Sequence, residues 1–425
     1  MTANFHQPQS LWEATAKLSF EVKTLDGDAH ADVVIIGAGF AGLSAALHLR
    51  QLGKSVIVLD KGGPGWGGSG RNGGQVNPGW KRSSVSITKE YGDTIGAQIL
   101  AVSNDACDLT FFLIDEHEID CAPVRNGYLL SAYGEFGWNA IKERYEAAQP
   151  DSQMALLNSD DAGRMTGAVG YSGALLNRRG GSVHPLDYAR GLAQAVRNLG
   201  GEIYAPAAAT QIIREGGSWR TETETGVVRS EYLLMAVNGY GDRLQTKVTR
   251  TVVPVVSCQI ATEPLPPKIL DRILPQGQHV SDTRNVGVYY RRSPDNRFVM
   301  GGRGQNKEIQ DERKNRDLLV RETEALYPFL KGQAWPHYWH GYVAMTPDSL
   351  PNLLDIGPNA FAGLGFNGRG VAMATMMGKL LADCVDGKPT ALPLNPPQPI
   401  AFHNLRQIGV GAYIEWARLK DRLAK

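Results

Sequence analysis

A chain of 425 residues is about three times the commonest single-domain length, which points to two domains or one interleaved pair. Its 44 basic and 43 acidic residues leave a net charge of +1, which excludes a generic nucleic-acid binder that works by neutralising phosphates. The 42% apolar and 20% charged content is that of a globular enzyme, not of a disordered or fibrous chain. Cys107, Cys121, Cys258 and Cys384 are far apart, so neither a zinc site, another metal centre nor a disulfide framework is expected. No run approaches eighteen apolar residues, so no transmembrane segment is expected. The polar start, Met1 to Gln9, has no signal-like apolar stretch. A cytoplasmic location follows as an expectation, with peripheral membrane contact left open.

Residues 1–30 read as a polar lead-in anchored by Trp12. Asp32 to Ile36 is a short β-branched run, as in a buried parallel strand. A glycine turn follows, then helical spacing from Leu43 to Leu52, ended by Gly53. Ser55 to Leu59 is a second strand closing at Asp60, which completes a βαβ unit. Residues 61–79 are glycine-rich but carry Trp, Arg, Asn and Gln, unlike a flexible linker. Residues 85–165 read as mostly helical, with a strand near Gly127 to Leu130. Pro185 to Leu199 reads as a helix, and strands follow through Leu234, at Val252 to Val256 and from Val286 to Met300. Asp311 to Tyr327 is an amphipathic helix, and a second glycine turn after Phe361 opens a helix ending near Val385. Phe402 onward reads as a packing helix, although Ile414, Trp416, Leu419 and Leu423 also suit a membrane or partner surface.

Three motifs carry chemistry. In Gly37-x-Gly39-x-x-Gly42, Gly37 permits the tight turn, Gly39 lets backbone approach a pyrophosphate, and Gly42 lets helix and strand pack closely. The helix N-terminus beyond it favours phosphate, and Asp60 is placed to accept from a ribose hydroxyl. This motif serves NAD or FAD. The polar loop Gly67 to Gln75 favours the longer FAD, with Ser69, Arg71 and Asn72 placed for diphosphate or flavin; Arg71 pairing an inner carboxylate is the alternative. The third motif, Phe361 to Val371, opens a helix whose N–H groups and Arg369 suit negative charge on a reduced flavin.

Together, Asp32 to Asp60, the Gly68-Ser69-Gly70-Arg71-Asn72-Gly73-Gly74-Gln75 loop and the Gly365 to Val371 turn resemble the D-amino-acid oxidase (DAO) superfamily of FAD proteins. Within it, the chain is similar to the γ-glutamylputrescine oxidoreductase branch, as at Tyr171 to Leu176, His184-Pro185-Leu186, Tyr290-Arg291, Trp339-x-Gly341 and Thr346-Pro347-Asp348. The resemblance implies an α/β fold: a Rossmann-like FAD-binding domain interleaved with a strand-rich α+β substrate domain. The expected ranges are 30–84, 166–245 and 338–390 for the first, 85–165 and 246–337 for the second, and 391–425 for a helical tail.

It further implies FAD contacts from Gly37, Gly39, Phe40, Ala41, Gly42, Asp60, Lys61, Gly68, Ser69, Arg71, Asn72, Gly73 and Gly74. Ala209, Asn238, Gly239, Gly341, Gly365, Phe366, Asn367, Gly368, Gly370 and Val371 complete that expected set. The implied reaction is hydride transfer from the carbon beside a neutral amine to flavin N5, the imine then hydrolysing in water. Gln75, Tyr290 and Trp339 are expected at the substrate, and Tyr289 and Trp335 as further pocket walls. Arg369, where many relatives carry His, is expected to anchor a substrate carboxylate or to face the flavin. Gly341 stands where covalently flavinylated relatives carry Cys, so non-covalent FAD is expected. His184 reads as structural. Arg291, Arg292 and Arg297 flank a turn and read as a solvated face.

The leading expectation is an FAD-dependent amine or amino-acid oxidase or dehydrogenase. Its substrate would be a γ-glutamylputrescine-like amine or a secondary or cyclic amino acid such as pipecolate. The acceptor would be O2 or a quinone. The alternatives are an NAD-dependent dehydrogenase and a non-catalytic flavoprotein subunit.

Overall fold

The computed structural model describes residues 9–148, 153–241, 244–305 and 310–423. Of the polar start whose composition argued against a signal, Met1 to Pro8 lies outside the described residues.

Two sheets organise the chain. In the nine-stranded sheet, Gly27–Ile36 pairs in parallel with Val56–Leu59 on one side and with Gly226–Met235 on the other. Glu202–Tyr204 extends it beyond Val56–Leu59. Ala360–Leu364 joins in parallel beside Gly226–Met235, so a strand from late in the chain sits next to the early nucleotide-type unit. Helices Phe40–Gln51 and Gly370–Val385 pack on each other over this sheet and bury nearly continuous apolar faces. The closeness comes from glycine: a Cβ on Gly378 would lie 2.5 Å from the Ala41 carbonyl oxygen.

The eight-stranded sheet is mostly antiparallel. It runs from His337–Met345 through Val253–Ala261, Phe298–Arg303, Tyr289–Arg292, His279–Asp282 and Tyr128–Tyr133 to Tyr171–Asn177 and Met154–Asn158. Tyr171–Asn177 and His337–Met345 therefore pair in the eight-stranded sheet, although residues 166–245 and 338–390 were expected in the FAD-binding domain. Nothing in the composition of either strand says which sheet claims it.

Helix Ser84–Glu116 is long and apolar enough to cross a bilayer by length and composition, contrary to the reading of the bare sequence. Half of that apolar window is buried within the fold, as in a core helix. Gly92, at φ 77°, breaks its helical geometry near the N-terminal end. Cys107, Cys121 and Cys258 are buried, Cys384 is half-buried, and all four are free thiols. His184 caps helix Pro185–Asn198: its Nδ1 accepts the Asp187 N–H at 3.2 Å. Burial brings its pKa down to about 4, so the ring is neutral and structural. Arg291, expected in solvent, is buried and donates to the Gly74 and Val183 carbonyls, tying the glycine-rich loop to the second sheet.

Candidate active site

One cavity of about 970 Å³ runs between the two sheets and meets both glycine turns. Ligand pockets usually span roughly 300–1,000 Å³, so this one suits a large, extended ligand. Gly37, Gly39, Phe40, Ala41, Asp60, Lys61 and Ala209 line one end. Gly68, Ser69, Arg71, Asn72, Gly73 and Gln75 line its course, with Asn238 and Gly341. Phe366, Gly368, Arg369, Gly370 and Val371 belong to the same lining. No Cys or His is among the lining residues, so nothing of those types stands ready for a covalent flavin link.

Local chemistry explains the first end. Strand Gly27–Ile36 stops at Gly37, whose φ of 110° favours glycine. A Cβ on Gly42 would lie 1.9 Å from the Gly37 carbonyl oxygen, so helix and turn meet without side-chain separation. Ser69 Oγ accepts the Phe40 N–H at 3.0 Å, which joins the glycine-rich loop to the helix start. A Cβ on Gly39 would lie 2.9 Å from that same hydroxyl, so only glycine leaves the backbone open there. Asp60 is committed to the backbone more than expected. Its Oδ2 accepts from Ala38 N–H and its Oδ1 from Gly62 and Gly63 N–H, each at 2.8 Å. Burial raises its pKa and these N–H bonds counter that rise. One acceptor direction remains on Oδ2 for a ribose hydroxyl.

The loop is held from behind. Asn72 donates to the Gly68 and Ser69 carbonyls and accepts from Gly74 N–H. Arg71 is buried, donates to the Trp66 carbonyl and pairs with Glu13 at 3.5 Å, the inner-carboxylate alternative. Gln75 donates to the Val280 and Tyr290 carbonyls.

Several expected site residues stand outside the lining. Tyr290 is fully buried behind the sheet, among Tyr171, Phe298 and Tyr327. Side chains alternate across a strand, so Tyr289 faces the cavity and its neighbour cannot. Trp339 packs edge-on against Trp12, and its Nε1 donates to the Arg71 carbonyl at 3.0 Å; it supports the loop instead of walling the pocket. Trp335 packs on Phe298 in the second core. Gly42, Gly74, Gly239, Gly365 and Asn367 are likewise absent from the lining. Asn367 instead donates to Thr346 and to the Gly365 carbonyl, and it fixes the second turn.

Three cations near the second turn escaped the sequence reading. Lys81, Arg144 and Arg303 line the cavity with Arg369. Arg369 is 8% exposed and donates to the Pro78 carbonyl at 2.8 Å; its buried Nε has no partner. Arg144, from helix Gly134–Glu146, donates to the Trp80 and Lys81 carbonyls. Lys81 is accessible because it looks into the cavity, yet protein encloses it. That enclosure, with repulsion from Arg369 and Arg303, brings its pKa down to about 8. Burial and then Arg369 bring Arg144 down to about 10. Pro78-Gly79-Trp80-Lys81 directly follows the glycine-rich loop, which was a usable signal for Lys81. Arg144 lies on a helix whose sequence resembles any solvated face.

The tail also reaches the site. Tyr413 of helix Arg406–Leu423 lines the cavity. Asp421 accepts from the Asn285 and Val286 N–H groups at 2.9 Å, and from the Asn285 amide. Ile408, Trp416 and Leu419 are exposed, whereas Ile414 is buried. Among the described residues no cluster of His, Cys, Asp and Glu could hold a metal ion.

An extended dinucleotide fits these features: a glycine turn open at the backbone, an acid beside it, and a continuous groove to a second helix N-terminus. Residues 32–384 match the family described as FAD dependent oxidoreductase. The chain is 30% identical over 381 residues to "Gamma-glutamylputrescine oxidoreductase" of Escherichia coli (strain K12), covering 89% of each. It is 30% identical over 375 residues to "Probable oxidoreductase OrdL" of Haemophilus influenzae, covering 87% of this chain and 86% of that one. Its fold is similar to the crystal structure of glycine oxidase from Geobacillus kaustophilus, with a TM-score of 0.73 and 21% identity over 86% of this chain and 97% of that chain. The family match decides for FAD over NAD as the cofactor.

Proposed function

The chain belongs to the DAO family of FAD-dependent oxidoreductases, enzymes of amines and amino acids, and from that premise we propose that it oxidises the C–N bond of a carboxylate-bearing amine. FAD, when bound, supplies a two-electron acceptor for the hydride on the carbon beside the amine nitrogen. The observation that supports the carboxylate is Arg369, which lines the cavity and has no ion pair among the described residues. A guanidinium there binds a carboxylate in two parallel hydrogen bonds and fixes which carbon faces the acceptor.

Gly37, Gly39, Ser69, Arg71 and Asn72 would hold the diphosphate region, and Asp60 a ribose. Helix Gly370–Val385 presents its N-terminus to the cavity, where backbone N–H groups favour developing negative charge. Tyr289 forms an apolar wall whose hydroxyl is bonded to Ser257 at 2.8 Å. Hydride loss needs a neutral amine. Lys81, Arg144 and Arg369 all repel an ammonium, which lowers the substrate's amine pKa without a dedicated base. The imine product hydrolyses in water. Both a γ-glutamyl amine with a free carboxylate and a secondary or cyclic amino acid such as pipecolate meet these requirements. Electrons leave to O2 or a quinone, and peroxide release in air tells these apart.

The test is anaerobic bleaching of the bound flavin by a panel of amines, amino acids and γ-glutamyl amines. Bleaching is expected only from amines that carry a carboxylate. Arg369→Ala is expected to lower kcat/KM for those by about ten- to hundredfold, the worth of a charge-assisted hydrogen bond. Equal kcat/KM in the variant, or bleaching by simple alkylamines alone, removes the carboxylate reading.

A further inference from the structure

The chain is almost neutral overall, yet its cavity is not. Seven cationic side chains line it (Lys61, Arg71, Lys81, Arg144, Arg284, Arg303 and Arg369) against two acids, Asp60 and Asp282. Asp282 is spent on Arg284, which also pairs with Glu322, at 2.6 Å each. Asp60 is spent on backbone N–H groups at the other glycine turn. Arg71 has Glu13. Lys61, beside Asp60, lies 4.6 Å over the Trp66 ring. That leaves Lys81, Arg144, Arg303 and Arg369, none of which has an ion pair among the described residues.

These four come from separate parts of the chain but meet around one short segment. Arg369 bonds the Pro78 carbonyl, and Arg144 bonds the Trp80 and Lys81 carbonyls, so two arginines clasp residues 78–81. Lys81 Nζ lies 3.8 Å from where a Cβ on Gly368 would stand, directly beside Arg369. Arg303 ends the strand Phe298–Arg303 and repels Lys81. Like charges held together at one cavity wall repel, to the extent that solvent does not screen them, unless a ligand brings the opposite charge. A single carboxylate compensates one of the four.

We propose that this cluster makes the enzyme selective for a dianionic amine: an amino acid carrying a second carboxylate, with Arg369 and Lys81 as paired anchors. The proposal rests on the C–N oxidation reading and narrows its substrate. It disfavours a cationic diamine conjugate, whose free amine would add positive charge to an already positive chamber. Arg144 and Arg303 act over a longer range, as a field that favours the dianion over its neutral isosteres.

The experiment uses the purified holoenzyme and matched pairs that differ only in charge. Aspartate and glutamate, in both enantiomers and as N-methyl derivatives, are compared with the corresponding asparagine and glutamine compounds. The expected kcat/KM ratio favours the acid over the amide by about ten- to hundredfold. Lys81→Met is expected to collapse that ratio through KM, with flavin content and the resting flavin spectrum unchanged. Calorimetric binding of succinate against succinamate, which no C–N oxidation can consume, reports the same selectivity without turnover. Succinate binding is expected at least about tenfold tighter. Equal kcat/KM and equal binding for acid and amide overturn the proposal, even if the amines bleach the flavin. Failure of every amine to bleach it, with succinate still preferred, sinks the C–N reading and leaves the anion site standing. A Lys81→Met protein that does not fold shifts the decision to the wild-type ratios, which decide alone.

Discussion

The two ends of the cavity are built from different materials. Around Gly37 to Ala41, the cavity wall is built of backbone: a left-handed glycine, a helix start and an acid whose oxygens are taken by N–H groups. Around Arg369, it is built of long cationic side chains from the segment after the glycine-rich loop, helix Gly134–Glu146, strand Phe298–Arg303 and the second turn. A backbone site tolerates almost no substitution, because its shape is the chain itself. A side-chain site can be retuned one residue at a time, and that is where a flavoenzyme family diversifies its substrates.

The sharpest way to break this contrast is at the backbone end. Gly39→Leu places a Cβ 2.9 Å from Ser69 Oγ and fills the approach to the turn. Flavin content per protein, read from absorbance after purification, is expected to fall by at least about tenfold. Full flavin content in the variant would mean that the turn is not the cofactor's seat.

At the side-chain end the expected effect depends on pH. Lys81 is held near 8 by enclosure and by Arg369 and Arg303; Arg144, Tyr128 and Tyr413 also line its surroundings. A bound anion favours the ammonium and raises that value, so binding takes up a proton above pH 8. Affinity for succinate is therefore expected to be nearly flat from pH 6 to about 7.5, then to fall with rising pH, to about tenfold below its plateau at pH 9. Lys81→Met should flatten the curve. A wild-type profile that strengthens with pH, or a fall that survives in the variant, contradicts the assignment.

The same contrast explains what the sequence could tell. The first glycine turn, its flanking strands and the helix to Val385 are periodic and local, so spacing alone located them. The placement of Ala360–Leu364 beside Gly226–Met235 needs pairing across more than a hundred residues; the strand, glycine turn and helix pattern at both chain ends pointed to a shared domain, but local spacing could not name the partner strand. Tyr290 was misplaced because strand parity decides which of two adjacent tyrosines sees the cavity, and a bare Tyr-Tyr pair does not declare its register. Trp339 was misplaced for a related reason: an aromatic that supports a loop from behind looks, in sequence, like one that walls a pocket. Arg291 read as solvated because it sits beside a turn, yet two loop carbonyls hold it in the interior. Arg144 was illegible altogether, since its role depends on where a helix comes to rest.

The smallest expected effect concerns the tail, which among the described residues meets the cavity lining through Tyr413. Asp421 accepts from the Asn285 and Val286 N–H groups, and residues 284–288 line the cavity together with Tyr413. Asp421→Ala removes those acceptors at a partly exposed site, where such bonds are worth about 1 kcal/mol or less. The Asn285 and Val286 amides should then exchange hydrogen faster, while KM for the carboxylate substrate rises by about threefold at most. Flavin content should not move, because among the described residues no tail residue lines the Gly37 end. A loss of flavin in Asp421→Ala would join the two ends into one cooperative unit, and the division between a backbone-built and a side-chain-built half would have to be abandoned.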